Sequence, residues 1–158
     1  MNNSVMVKMV VSAWDSHVSR ADTLIKSLTD EQLSNEIAPG KNTGTYLIGH
    51  LIAVHDALNE IMGLGERAHA DLDEAFIKNP DKSGLPMPPM STLRKYWDDV
   101  HQKLSSSFQS MQPDDFFKRH NSVSDEDFVK EPNRNKLNVL ISRTNHLSYH
   151  LGQLMLLK

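Results

Sequence analysis

Apolar residues recur at spacings of three and four from Val5 to Leu28, where Val7, Val10, Val11, Trp14, Val18, Ala21, Leu24, Ile25 and Leu28 share one stripe of a 3.6-residue period. The pattern predicts an amphipathic first helix. Thr29-Asp30-Glu31-Gln32 has the form of a capping box, opening one short turn that Pro39-Gly40 ends. Asn42 or Thr43 then caps a second helix, with Tyr46, Leu47, Leu51, Val54, Leu58, Ile61 and Met62 on its apolar face and Gly63 and Gly65 placed to stop it. Glu66 to Lys78 has room for a short helix. From Asn79 to Pro89 the prolines remove backbone donors and crowd any preceding turn, so an ordered excursion is expected there.

Ser91 is placed to cap a third helix running to about Met111, with Leu93, Tyr96, Trp97, Val100, Leu104 and Phe108 on its buried side and Pro113 at its end. Asp114 to Asn133 is polar and aperiodic, and reads as a long loop with room for a turn of helix, of the kind that often borders a site. Asn135 to Leu157 is a fourth and strongly apolar helix, carrying Leu137, Val139, Leu140, Ile141, Leu147, Leu151, Leu154, Met155 and Leu157. Four long helical segments without strand alternation or internal repeat predict an all-α four-helix bundle. The excursion between the second and third helices would permit a non-sequential arrangement, and the sequence leaves the topology open.

Composition narrows the partners. The 158 residues suit one domain spanning 1–158, and 39% hydrophobic with 23% charged residues is the balance of a folded globular chain. Seventeen Lys and Arg against twenty Asp and Glu, mixed rather than blocked, make nucleic acid a poor partner. No stretch is apolar enough to span a membrane and no signal peptide is evident, so a cytoplasmic location is expected. Cysteine is absent, so any metal must rest on His and carboxylates.

His146 and His150 stand four apart in the fourth helix, one turn apart on one face, where two neutral imidazoles can share a zinc, nickel, copper or iron ion. The same spacing also arises in packed helices whose histidines are each satisfied by a carbonyl or water. The apolar character of this helix adds weight to the first reading, because an inward-facing His needs a partner. Bundles build metal sites from facing helices, and His50 in the second helix, between Leu47 and Leu51, is the best third ligand. Gly49 beside it would let a neighbouring helix approach closely. His55 lies about 140° further round and cannot easily share the ion. His17 reads as a residue beside the cavity or at the surface, and His69, His101 and His120 as solvated. Tyr46, Arg143 and Gln153 stand near the three histidines, where they could orient ligands or substrate; packing, a surface charge and a surface amide are the alternatives.

Ile48-Gly49-His50-Leu51, together with His146-Leu147-Ser148-Tyr149-His150-Leu151-Gly152-Gln153, resembles the DinB/YfiT-like superfamily over nearly the whole chain. The resemblance implies a four-helix bundle, commonly a homodimer, with nickel, zinc or a similar ion on His50, His146 and His150. It also implies a choice of activities: an S-transferase or isomerase that uses a low-molecular-weight thiol with an electrophilic substrate, a metal-dependent hydrolase, or none, since many members have no known activity. A helix with Leu147 where metalloproteases carry a glutamate lacks the usual general base, so peptide hydrolysis is disfavoured. Two readings from other classes stand beside these. One is a non-enzymatic helical dimer with a structural or vestigial metal; the other is a metal-free binder with an apolar cavity lined by Trp14, Trp97 and Met residues.

Overall fold

The computed structural model describes residues 3–158, and their regular elements are helical. Helix α1 (Asn3–Ser27) realises the first apolar stripe. The capping box forms as expected ahead of α2 (Asp30–Ser34): Gln32 N–H donates to Thr29 Oγ1 at 3.1 Å and Thr29 N–H to Gln32 Oε1 at 2.9 Å. Thr43, not Asn42, caps α3 (Gly44–Asp56) by accepting from the Tyr46 N–H. The second helix was expected to run through Met62, but it breaks at Ala57 and resumes as α4 (Leu58–Ile61). The Asn59 side-chain amide takes the Asp56 carbonyl at 2.9 Å, one of the ways a helix kinks.

A 3₁₀ turn at Ala70–Leu72 leads into α5 (Asp73–Phe76), after which the proline-rich excursion runs to Pro89. Helix α6 (Met90–Ser110) is capped by Pro89 rather than Ser91. The extended Pro89 backbone ends the excursion, and its carbonyl accepts from the Thr92 and Leu93 N–H groups, which places Ser91 already inside the first turn. The long polar segment holds a 3₁₀ turn at Pro113–Phe117 and α7 (Asp125–Lys130). Asn135 caps α8 (Lys136–Leu154), and a final 3₁₀ turn covers Met155–Leu157.

The long helices α1, α3, α6 and α8 form the bundle. Helix α1 packs on α8 and α6, and α3 packs on α6 and α8, so α1 and α3 occupy opposite corners. The arrangement is therefore non-sequential, but the excursion from 57 to 89 joins neighbours. The diagonal crossings are made by residues 28–43 and by the polar segment 111–135. A contiguous core runs through all four helices, with Trp14, Leu47, Leu51, Leu93, Trp97, Leu104, Leu140 and Leu147 almost wholly removed from water. Each such side chain contributes about 2 kcal/mol of burial. Because α3 touches both α6 and α8, its polar positions are forced to meet partners inside the bundle.

Candidate metal centre

Helix α3 presents His50 to α8, and α8 presents His146 and His150 from successive turns. The three imidazoles converge on their Nε2 atoms. His50 Nε2 lies 3.2 Å from His146 Nε2, and His150 Nε2 lies 3.1 Å from it. One ligand atom of each residue falls within 4.8 Å of the others, and no carboxylate joins the group among the described residues. Zinc–imidazole bonds of about 2.0–2.1 Å place tetrahedral ligand atoms about 3.3–3.4 Å apart, so the two separations from His146 fit a small divalent cation.

Each ring is aimed by what its other nitrogen does. His50 Nδ1–H donates to the Phe76 carbonyl at 2.7 Å, which leaves the Nε2 lone pair facing α8. Gly49 makes that anchor possible. A Cβ at position 49 would stand 2.2 Å from a Phe76 ring carbon, so only glycine admits α5 this close to α3. The close neighbour is thus the short helix α5 rather than one of the long helices. His150 Nδ1–H donates to Gln153 Oε1 at 2.7 Å, and Gln153 in turn donates to the Tyr149 hydroxyl at 3.3 Å. His146 Nδ1 is buried without a hydrogen-bond partner among the described residues.

The electrostatics favour neutral rings. Burial lowers the pKa of all three histidines. The Phe76 carbonyl partly offsets this at His50 and the Gln153 amide at His150. His146 is held down at about 4 by burial first, then by the charges His150, His50 and Arg143 would impose. At neutral pH the cluster therefore offers lone pairs rather than protons, the state a metal ion requires.

The model of the DinB superfamily matches residues 13–154, a span that contains all three histidines and both of their anchors. The chain belongs to the DinB superfamily. No curated protein matches it.

Against this DinB frame the other sequence-read residues separate. Tyr46 is packed, its hydroxyl donating to the Asn79 carbonyl at 2.8 Å and so tying the excursion to α3. His17 bonds the Ala13 carbonyl of its own helix and lies outside the cluster. His101 is not solvated, as its polar neighbours implied; it is 9% exposed and hydrogen-bonded to His55, which is wholly buried. Its position one turn from both Trp97 and Leu104 was the signal for this, as Leu51 and Leu58 were for His55. His69 is half-buried and stacks on Tyr96 with centroids 3.8 Å apart, and His120 is half-buried against the long loop. Arg143 is no surface charge: it is half-buried, and its Nε has no partner among the described residues. No helix among the described residues is long and apolar enough to cross a membrane.

Proposed function

We propose that His50, His146 and His150 hold one divalent ion, nickel or zinc, and that the protein is a metal-dependent S-transferase using a low-molecular-weight thiol. The observation that carries this reading is the convergence of three Nε2 lone pairs with no fourth protein ligand among the described residues, which leaves a position for a reactant. A divalent ion bound there would lower the pKa of a coordinated thiol or water and so supply a nucleophile at neutral pH. The residues of the chain do the rest. Phe76 and Gln153 fix the ring orientations, and the buried core behind His150 keeps that side dry. The sulfur of the thiol would form a bond to an electrophilic carbon, whose leaving group departs with the electron pair, and the thiol proton passes to solvent.

Thiol transfer suits the chain better than peptide hydrolysis. The metalloprotease helix carries its general base as a glutamate beside the first histidine, and the position after His146 is the fully buried Leu147. A thiol is acidic enough to ionise without one. A homodimer and a cytoplasmic location belong to the same reading; Val5 and Met9 on α1, 56% and 68% exposed, supply apolar surface for a second copy.

The test is elemental analysis of dialysed protein reloaded with nickel or zinc, followed by thiol consumption with a reactive electrophile, beside His50→Ala/His150→Ala. Near-stoichiometric metal and metal-dependent thiol consumption in the wild type alone are expected. Metal without thiol consumption would leave the hydrolase or structural-metal reading, and no metal in either protein would remove the centre.

A further inference from the structure

Of the six arginines Arg20 is exposed, and the other five, all half-buried, divide by what they touch. Arg67 closes on Asp56 and Asp73, Arg94 on Asp30, and Arg119 on Asp125. Arg134 and Arg143 close on no carboxylate among the described residues, although both are half-buried. A guanidinium withdrawn from water without a counter-charge is costly, and burial already lowers the pKa of Arg143. The two share one cavity.

That cavity, of about 340 Å³, lies where the long polar loop folds against the start of α8. The loop supplies His120, Ser122 and Arg134, and α8 supplies Asn138, Ser142 and Arg143; no carboxylate is among the lining residues. His120 Nδ1 accepts from the Ser122 N–H at 3.3 Å, so its neutral ring carries the proton on Nε2 and can donate. The lining is therefore rich in donors and positive in charge. By contrast, the cavity between α1 and α6 carries Asp15, Asp22 and Asp98 with Lys26. The basic cavity also follows the α8 face on which the metal centre sits, because His146 stands four residues beyond Ser142 and three beyond Arg143.

We propose that this cavity is an oxyanion subsite, in which Arg134, Arg143 and His120 grip a carboxylate or phosphate group of a small-molecule substrate whose reacting end reaches the three histidines. The inference rests on the proposed reaction only for what the anion belongs to; binding of the anion itself needs no metal. Arg143 would supply the paired donors that recognise an oxyanion, and Arg134 on the loop would close over it.

The experiment titrates metal-free protein at low salt with inorganic phosphate and, separately, with succinate. Heat is followed by calorimetry and the His120 ring resonances by NMR. Saturable one-to-one binding of either anion is expected, with movement of the His120 signals. Affinity should fall about tenfold or more in Arg134→Gln/Arg143→Gln, the scale of lost charge-assisted hydrogen bonds, and remain unchanged in Arg20→Gln, a surface charge elsewhere. Phosphate alone would assign a phosphorylated substrate, and succinate alone a carboxylated one. Binding of neither, His120 signals that stay still, or equal weakening by Arg20→Gln would overturn the subsite. Should the double variant fail to fold, the wild-type His120 response still decides. Metal content of a separate portion of each protein, reloaded with nickel or zinc, separates this outcome from failure of the metal centre.

Discussion

Helix α3 carries two histidines, five residues apart, that end in opposite kinds of cluster. His50 meets His146 and His150 with lone pairs facing lone pairs, an arrangement that only a cation or a shared proton can make favourable. His55 meets His101 in a directed chain: His101 Nδ1–H donates to the Trp97 carbonyl at 2.7 Å, so its Nε2 is free to accept from His55 Nδ1–H at 2.8 Å. The pair is walled by Trp14 and Trp97, with the Trp14 ring edge-on to His55 at 4.8 Å. One cluster gathers acceptors around a shared point, and the other joins a donor to an acceptor, with His55 Nε2 left buried and without a hydrogen-bond partner among the described residues. The difference between a candidate binding centre and a structural polar core thus lies in which nitrogens face which, more than in burial or residue type.

The sharpest way to break this contrast is to remove the first cluster. In His50→Ala/His150→Ala, bound metal should vanish while the metal-free protein loses about 2 kcal/mol, for the hydrogen bonds from His50 to the Phe76 carbonyl and from His150 to Gln153. Wild type with free metal at a hundred times its dissociation constant should gain about 2.7 kcal/mol, or about 8 °C in melting temperature, and the variant nothing. Elemental analysis and thermal melts with and without metal check both halves.

Acid should act next most strongly, and on both clusters, because burial lowers the pKa of His146 as well as that of His101 to about 4. An unfolded His101 takes its proton near 6.5, whereas burial holds the folded ring down to about 4, and His55 is shifted in the same direction by burial and by the His101 charge. Between those values the unfolded chain binds more protons, so metal-free stability falls as pH drops from about 6.5 towards 4, by about 3 kcal/mol for His101 alone. His101→Leu should flatten part of that slope. It should also cost about 2 kcal/mol at pH 7, because the buried His55 Nδ1–H loses its acceptor. Denaturant melts across this pH range would show it, with metal content unchanged.

Much of this was legible in the chain. The α1 stripe, the Thr29–Gln32 box and the placing of His146 and His150 on one face follow from local periodicity and spacing, which sequence displays directly. Thr43 was one of two caps on offer, and His50 entered through the family resemblance and the habit of bundles to build sites on facing helices. What was hidden depends on through-space partners. The His55–His101 pair joins α3 to α6, and Asp56 and Gln102 beside them disguise their inward direction. Ser91 lost the cap to Pro89 because the excursion fixes where the helix can begin. The corner positions of α1 and α3 depend on which loops cross the bundle, and hydrophobic pattern does not encode that.

Gly49→Ala tests the packing of α5 on α3 that anchors His50. The added Cβ would meet the Phe76 ring at 2.2 Å, and either that ring or α5 must move. Overpacking of this kind should cost about 2 kcal/mol. Metal affinity should fall too, because displacement of Phe76 takes the carbonyl from His50 Nδ1–H. Paired melts and metal titrations should therefore move together here, as they should not in His101→Leu.

The smallest expected effect is the most discriminating about the metal centre. Gln153 touches His150 only through Nδ1, on the far side of the ring from the Nε2 that faces His146. Gln153→Leu should leave stability nearly unchanged, since this side chain is half-buried near the end of α8. It should weaken metal binding about tenfold, because His150 would lose the acceptor that fixes its tautomer and orientation. Gln153→Glu should restore or tighten binding, because a carboxylate accepts the same Nδ1–H more strongly and makes the imidazole a better donor to metal. If His150 were only a satisfied core histidine, Leu would instead lower stability and neither variant would change metal titration, so the opposite responses of Leu and Glu are what a ligand role alone predicts.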